Sequence, residues 1–149
     1  MRLTLHTDYA LRVLIYLGLQ QEGRLATIRE ISQAYDISRT HLMKVALELQ
    51  KRGYIEAVRG RAGGLALAAP GAAVNLGQLV RELEPDLALA ECMGGENRCV
   101  ISPDCRLREA LHKAREAFIA VLGQYTVADL TAPGKRAAAL RGHLQIINL

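Results

Sequence analysis

Three thiols are the groups in this chain best suited to chemistry, and all lie in one stretch, Glu91 to Cys105, reading ECMGGENRCVISPDC. Six residues separate Cys92 from Cys99 and five separate Cys99 from Cys105. Gly94-Gly95 and Ser102-Pro103 can bend the intervening segments so that three sulfurs face one centre. That is one ligand short of a closed site. Structural zinc sites take four protein ligands, commonly in close pairs, whereas iron-sulfur clusters are held mainly by thiolates at spacings that vary. Ser102 suits a helix N-cap and Pro103 the first helical position, which predicts Cys105 in a first turn, where the helix dipole favours an anion. Arg98, Arg106 and Arg108 add positive charge that suits an anionic sulfur. Cysteine is also a small hydrophobe that packs well in a core, so the spacings alone leave metal, cluster and plain packing open.

Length and composition bound what can surround these thiols. A chain of 149 residues, half of them apolar, makes one or two small domains and falls short of most multidomain enzymes. There is no Cys-x-x-Cys beside a βαβ pattern, no nucleophile elbow and no dinucleotide fingerprint, so the sequence points away from an enzyme. It has no uncharged apolar run of about eighteen residues and no signal-peptide cleavage pattern, which predicts a cytoplasmic protein with no membrane partner. In that compartment clustered cysteines are more often reactive or metal-bound than paired in disulfides. The net charge is +4, and residues 1–70 carry ten Lys/Arg against six Asp/Glu, while residues 71–149 carry nine of each. Six bases between Arg39 and Arg61 face only Glu48 and Glu56, which marks that segment for a polyanion.

The elements that must position these groups can be read in order. Thr7 can cap a helix to about Gln20 that is apolar nearly all round and therefore buried on several sides. Asp8 and Arg12 lie one turn apart on it, the ordinary spacing of an exposed ion pair. Thr27 to Glu30 is a capping box opening a short helix, Tyr35-Asp36-Ile37 makes a turn, and Ser38 can cap a second helix to about Arg52, closed by Gly53. Its inner side is Leu42, Val45, Ala46 and Leu49. Its outer side shows Arg39, Thr40, His41, Lys44, Glu48 and Lys51. Two helices joined by three residues, the second basic, are a helix-turn-helix. The strand-like runs Tyr54–Val58 and Leu65–Ala68 flank Arg59-Gly60-Arg61-Ala62-Gly63-Gly64, a hairpin wing whose glycines permit a tight tip and close approach to a phosphate. No Gly-Lys-Ser/Thr follows, so this is not a nucleotide-binding loop.

Asn75 to Gln78 opens a further helix that Pro85 ends. From Pro103 to about Gln124, Leu107, Leu111, Ala114, Phe118, Val121 and Tyr125 form one seam at heptad spacing, as expected of a two-fold dimer interface. Thr126 to Leu130 can add a final turn, and Leu140, Leu144 and Ile147 stand at helical spacing in the tail.

Together, MRLTLHTDYALRVLIYL, LMKVALELQKRGYIEAVRGRAGGLALA and the cysteine triplet resemble the IscR/NsrR family of iron-sulfur transcription regulators, over residues 1–130. The resemblance implies a mainly α fold: a winged helix-turn-helix with a long C-terminal dimerisation helix and a cysteine loop between them. It places the winged domain at 1–84, with the first helix also touching the dimer partner, and the cluster-binding loop at 85–102. The dimerisation helix follows at 103–130, then a tail at 131–149 that is either disordered or a loosely docked helix. IscR-like members carry a histidine ligand three residues past the third cysteine. Here that residue is Arg108, which has no lone pair to give a metal. NsrR-like members complete the site with a carboxylate near the start of the first helix, and the matching residue is Asp8 of the partner subunit, with Arg12 beside it to neutralise or hydrogen-bond the site and His112 in reserve.

The resemblance further implies a homodimer on a palindromic double-stranded operator, acting as a repressor. Nitric oxide is the signal, sensed through an iron-sulfur cluster, the 4Fe-4S form before the 2Fe-2S form. The alternatives keep the fold but sense iron-sulfur or redox status, zinc, or thiol oxidation. Expected DNA contacts are Ser38, Arg39, Thr40, His41 and Lys44 from the second helix, with Arg59, Arg61 and Gly63 from the wing.

Overall fold

The computed structural model describes residues 2–146. Its helices are α1 (Leu5–Gly18), α2 (Ile28–Tyr35), α3 (Arg39–Lys51), α4 (Leu76–Leu83), α5 (Arg106–Leu122), α6 (Val127–Thr131) and α7 (Lys135–His143), with strands β1 (Ile55–Val58) and β2 (Gly64–Leu67) between α3 and α4. The chain is mainly helical, with a winged helix-turn-helix followed by a long helix, as expected. Among the described residues no helix is long and apolar enough to cross a membrane.

The core is built around α1, which packs on α3, α4, α6 and β2. Ala10, Val13 and Leu14 are fully buried, with Tyr16 and Leu17 nearly so, as a helix apolar on most sides requires. Its cap is Thr4, not Thr7. Thr4 Oγ1 accepts the Thr7 N–H at 3.3 Å, and the Thr4 N–H and hydroxyl both donate to Glu84 Oε1, at 2.9 and 3.1 Å. The earlier threonine prevails because Glu84, just after α4, satisfies it from outside the helix, and Thr7 is left buried inside the first turn.

The capping box of α2 forms as its sequence requires: the Glu30 N–H donates to Thr27 Oγ1 at 3.2 Å and the Thr27 N–H to Glu30 Oε2 at 2.6 Å. Asp36 turns left-handed at φ 53°, and the Ser32 hydroxyl donates to the Ile37 carbonyl at 2.6 Å, which fixes the turn into α3. Ser38 occupies the N-cap position of α3 but its side chain makes no capping bond. The inner face is Leu42, Val45, Ala46 and Leu49.

β1 and β2 pair antiparallel, Ile55 opposite Leu67 and Val58 opposite Gly64. Ala26, before α2, adds a third short edge that the sequence did not announce, exchanging bonds with Leu65 at 3.0 and 2.7 Å. A single bridging residue carries no periodicity to read.

Two later elements differ from expectation. The helix after the cysteine loop starts at Arg106, because Ser102–Asp104 forms a separate short turn and Cys105 is extended at φ −86°, ψ 109°. Ser102 is buried and hydrogen-bonds Asn97, so its oxygen does not cap α5. Cys105 therefore stands at the N-cap of α5, not within its first turn. In the tail, α7 docks: Ala137, Leu144 and Ile146 are buried and Arg141 Nε donates to the Leu19 carbonyl at 2.9 Å. Among the described residues of this segment, Lys135–His143 is helical. Ile147 lies outside the described residues.

Candidate cysteine centre and nucleic-acid interface

All three cysteines are free thiols. Cys92 lies half-buried in the short turn Glu91–Met93, Cys99 is exposed on the following loop, and Cys105 is half-buried at the head of α5. Arg108 Nε donates to the Cys92 carbonyl at 3.1 Å, which brings the Cys92 turn onto the first turn of α5, next to Cys105 in sequence. Where the residue type rules out a metal bond, the guanidinium thus does structural work on the loop. Cys99 is held only locally: its N–H meets Asn97 Oδ1 at 3.0 Å and its carbonyl accepts from the Ser102 N–H at 3.2 Å. The Arg98 N–H closes the loop onto Glu91 Oε1 at 2.9 Å.

Among the described residues no group of three or more His, Cys, Asp or Glu is gathered closely enough to hold a metal ion. The convergence of sulfurs that the spacing suggested is therefore not assembled in the single chain. The reason is energetic: residues 95–101 are exposed, Val100 and Ile101 among them, so no core contact fixes the loop. The donors nevertheless suit a thiolate-bound group. Three free thiols sit on a loop tied down by a few surface hydrogen bonds, each worth about 1 kcal/mol net, far less than metal-thiolate bonding supplies. His112 is half-buried two turns beyond Cys105.

Among the described residues Asp8 joins no group of metal-ligating side chains within one protomer. Its Oδ2 pairs with an Arg12 guanidinium nitrogen at 2.8 Å, both side chains partly exposed. Arg12 also lies over two rings, its central carbon 5.9 Å from the Tyr9 centroid and 5.8 Å from that of Tyr35. Burial pushes the Tyr35 hydroxyl up to about 12, against the opposing pull of Arg12, so this ring is neutral at physiological pH. Tyr9 also meets His41 of α3, centroids 6.1 Å apart and planes tilted by 39°.

The nominated DNA contacts of α3, Ser38, Arg39, Thr40, His41 and Lys44, are all exposed, as are Arg59 and Arg61 on the wing. Gly60 has φ +114°, the left-handed region that only glycine enters without strain. Gly63 is demanded by the wing itself, because a Cβ there would run into the carbonyl oxygens of Val58 and Gly60. Its glycine is thus explained by the turn alone, with no phosphate required. Two features escaped the sequence reading. Arg29, Ser32 and Gln33 of α2 line a depression of about 380 Å³ with Arg39, extending the basic face. Met43 and Leu47 are exposed on α3, apolar groups of the kind that meet thymine methyls. Helical spacing would have found both, since each residue lies off the buried stripe of its helix.

A family model described as "Iron-dependent Transcriptional regulator", Rrf2, matches residues 3–133. The chain is 48% identical over 143 residues to the HTH-type transcriptional regulator NsrR of Oceanobacillus iheyensis, covering 95% of this chain and 97% of that one. It is 51% identical over 131 residues to the regulator of the same name from Geobacillus kaustophilus, covering 87% and 89%. In three dimensions it is similar to CymR, the global cysteine regulator of B. subtilis, with a TM-score of 0.72, 22% identity, and 89% and 97% of the two chains covered. It is also similar to IscR of T. potens, with a TM-score of 0.70, 20% identity, and 87% and 85% covered. At these identities the two structures show a shared fold.

Proposed function

The chain belongs to the Rrf2 family of transcriptional regulators, and on that premise we propose that it is a repressor sensing nitric oxide through an iron-sulfur cluster. As a family member it is a DNA-binding regulator and not an enzyme. The finer reading rests on one observation: three free thiols on a loosely held loop whose Cys92 turn is pinned to α5, with a separate carboxylate, Asp8, whose partner is a surface arginine.

In the proposed homodimer Cys92, Cys99 and Cys105 of one protomer and Asp8 of the partner subunit hold the cluster, 4Fe-4S before 2Fe-2S. When bound, such a cluster supplies iron that nitric oxide can ligate, most readily where a weaker oxygen ligand is displaced. The remaining work belongs to the chain. Arg108 keeps the Cys92 turn against α5, so closing the loop orders the head of that helix. Asp8 ties α1 of one protomer to the loop of the other. Arg12 neutralises the carboxylate when that tie is broken. The two α3 helices must sit about one DNA turn apart to read a palindromic operator, so a change in the tie alters their spacing. A coupling of about 2–3 kcal/mol would change operator affinity roughly 30- to 150-fold. The site of action is the cytoplasm, where the DNA is.

The test is anaerobic isolation with absorbance, iron and sulfide analysis, followed by nitric oxide titration on an operator duplex selected from random DNA by the protein itself. Loss of cluster absorbance together with loss of binding supports the reading. Unchanged binding after the absorbance has gone refutes it, and colourless protein carrying one zinc, or a disulfide, favours the zinc or thiol-oxidation reading.

A further inference from the structure

We propose that Tyr9 is a positioning residue that carries the engagement of Asp8 to the DNA-reading face of α3. The proposal rests on the reading of Asp8 as a ligand and adds the route by which its state reaches DNA. The route is a continuous series of contacts: Asp8 to Arg12 at 2.8 Å, Arg12 over the Tyr9 ring at 5.9 Å, and Tyr9 against His41 at 6.1 Å. His41 is exposed in the first turn of α3, among the groups nominated to touch DNA.

Three physical features make this series responsive. First, one guanidinium serves competing partners, since Arg12 is shared between the Asp8 carboxylate and the faces of Tyr9 and Tyr35. A carboxylate committed to a cation elsewhere no longer balances Arg12, and the ring faces become the guanidinium's main attraction. Second, the Tyr9–His41 pair has room to rearrange: a cavity of about 180 Å³ lined by Leu5, His6, Tyr9, His41 and Val45 adjoins it. A close-packed interface would resist such motion, because packed side chains shift between discrete arrangements only where volume permits. Third, the backbone around it is firm. α1 and α3 pack directly on one another, with Ala10, Val13, Leu42 and Val45 buried, so a ring displaced on α1 moves its neighbour on α3 and leaves the core in place.

The consequence is specific to recognition. Non-specific attraction comes from Arg39, Lys44, Arg59 and Arg61, which lie off this route, so Tyr9 acts on base reading and leaves the salt dependence of binding alone.

The experiment uses full-length chain. Without iron, and at constant pH, the His41 imidazole resonances are compared in wild type, Asp8→Asn, Tyr9→Leu and the double variant, with Tyr9→Phe as the ring-preserving rescue. The proposal expects Asp8→Asn to move the His41 signals, Tyr9→Leu to abolish that movement, and Tyr9→Phe to restore it. With iron, Tyr9→Leu keeps the cluster absorbance and the salt slope, while the nitric-oxide effect on the selected operator falls from thirtyfold or more to under about threefold. His41 signals indifferent to Asp8→Asn, or moved equally in the Tyr9→Leu background, overturn the proposal. So does a full nitric-oxide response in Tyr9→Leu, which would leave the sensing reading intact. If wild type ignores nitric oxide while the His41 pattern holds, the sensing reading fails and the Tyr9 link stands.

Discussion

Replacing Gly77 by alanine tests how the winged domain is fastened to α5. A Cβ at Gly77 would stand 2.7 Å from the Gly123 nitrogen and the Ile119 carbonyl oxygen, and 2.8 Å from Gly123 Cα. Every one of these is a backbone atom, so no side chain can rotate away. Relief to an ordinary contact needs α4 and α5 to part by roughly 0.7 Å, a strain in the range of about 1–3 kcal/mol for overpacking. Several bonds span the same seam: Asn75 Nδ2 to the Gly123 carbonyl at 2.7 Å, the Leu76 N–H to the Tyr125 carbonyl at 3.0 Å, and Arg81 to Glu116 at 3.1 Å. That places the strain near the top of the range, offset by about 1 kcal/mol because alanine favours helix over glycine. A net loss of about 1–2 kcal/mol lowers the melting midpoint of a chain this size by roughly 3–8 °C. Gly142→Ala is the control. It lies in α7 with nothing within 4 Å of the added Cβ, so the same change gains about 0.5–1 kcal/mol and raises the midpoint. Thermal unfolding at one fixed protein concentration, which keeps association constant, reads both. Gly77→Ala melting at or above wild type would refute the reasoning, since the backbones would then not be in the contact described.

Arg61→Ala should weaken binding to the selected operator and reduce the slope of log affinity against log salt by about one unit, if it meets one phosphate. Leu144→Ala should cost about 2–3 kcal/mol in a thermal or denaturant melt, because that side chain is buried, whereas an undocked tail would show no change. Asp129 is held below its ordinary value of 3.8 by hydrogen bonds from the Thr126 hydroxyl first and the Thr126 N–H second. A carboxylate depressed in the folded state stabilises above its unfolded value and loses that contribution as pH falls. Wild type should therefore melt above Asp129→Asn near pH 6, and the gap should close below pH 3.8, as melts across that range would show.

What the sequence disclosed depended on whether the deciding interaction was local. Thr27 and Glu30 satisfy each other three residues apart, Gly53 meets its left-handed turn at φ +78°, and Asn75 reaches the Gln78 N–H, so these boundaries were legible. The start of α1 was not, because the choice between Thr4 and Thr7 is made by Glu84, eighty residues away. Ser102 was misread for a related reason: its hydroxyl had a second suitor in Asn97, and that pairing leaves Cys105 outside the helix. α7 was ambiguous because its core contacts are Ala137 within the helix and Leu144 and Ile146 beyond its end, a pattern with almost no amphipathic stripe. In the candidate site, residue types placed thiols on the loop before α5 and bases on α3 and the wing, the segments that carry them in the structure. The Arg108 tether and the Tyr9–His41 pair depend on tertiary packing that spacing does not encode.

The two faces of α5 supply the physical case for the proposed pairing of protomers. Inside the chain α5 spends Ile119, Leu122 and the backbone at Gly123 on the winged domain. Of the heptad seam, Leu107 is 65% exposed, Val121 54% and Tyr125, just past the helix, 46%, while Leu111 and Phe118 are half-buried within the chain. Burying a large apolar side chain fully is worth about 1.5–3 kcal/mol, so exposed residues of this kind favour association. Cys105 heads this helix and Gly123 follows its last turn, against α4. Within one protomer α4 meets α5 at Arg81–Glu116 as well as at Gly123, and the loop follows α4 directly, with Glu84 bonded to the Thr4 cap of α1. That route ends at the cap of α1, whereas the carboxylate proposed to reach across from the second protomer, Asp8, stands one helical turn further on, against Arg12 and through it Tyr9. Under the proposal, Asp8, and not any residue of α5, is where the sensing and reading functions should prove inseparable.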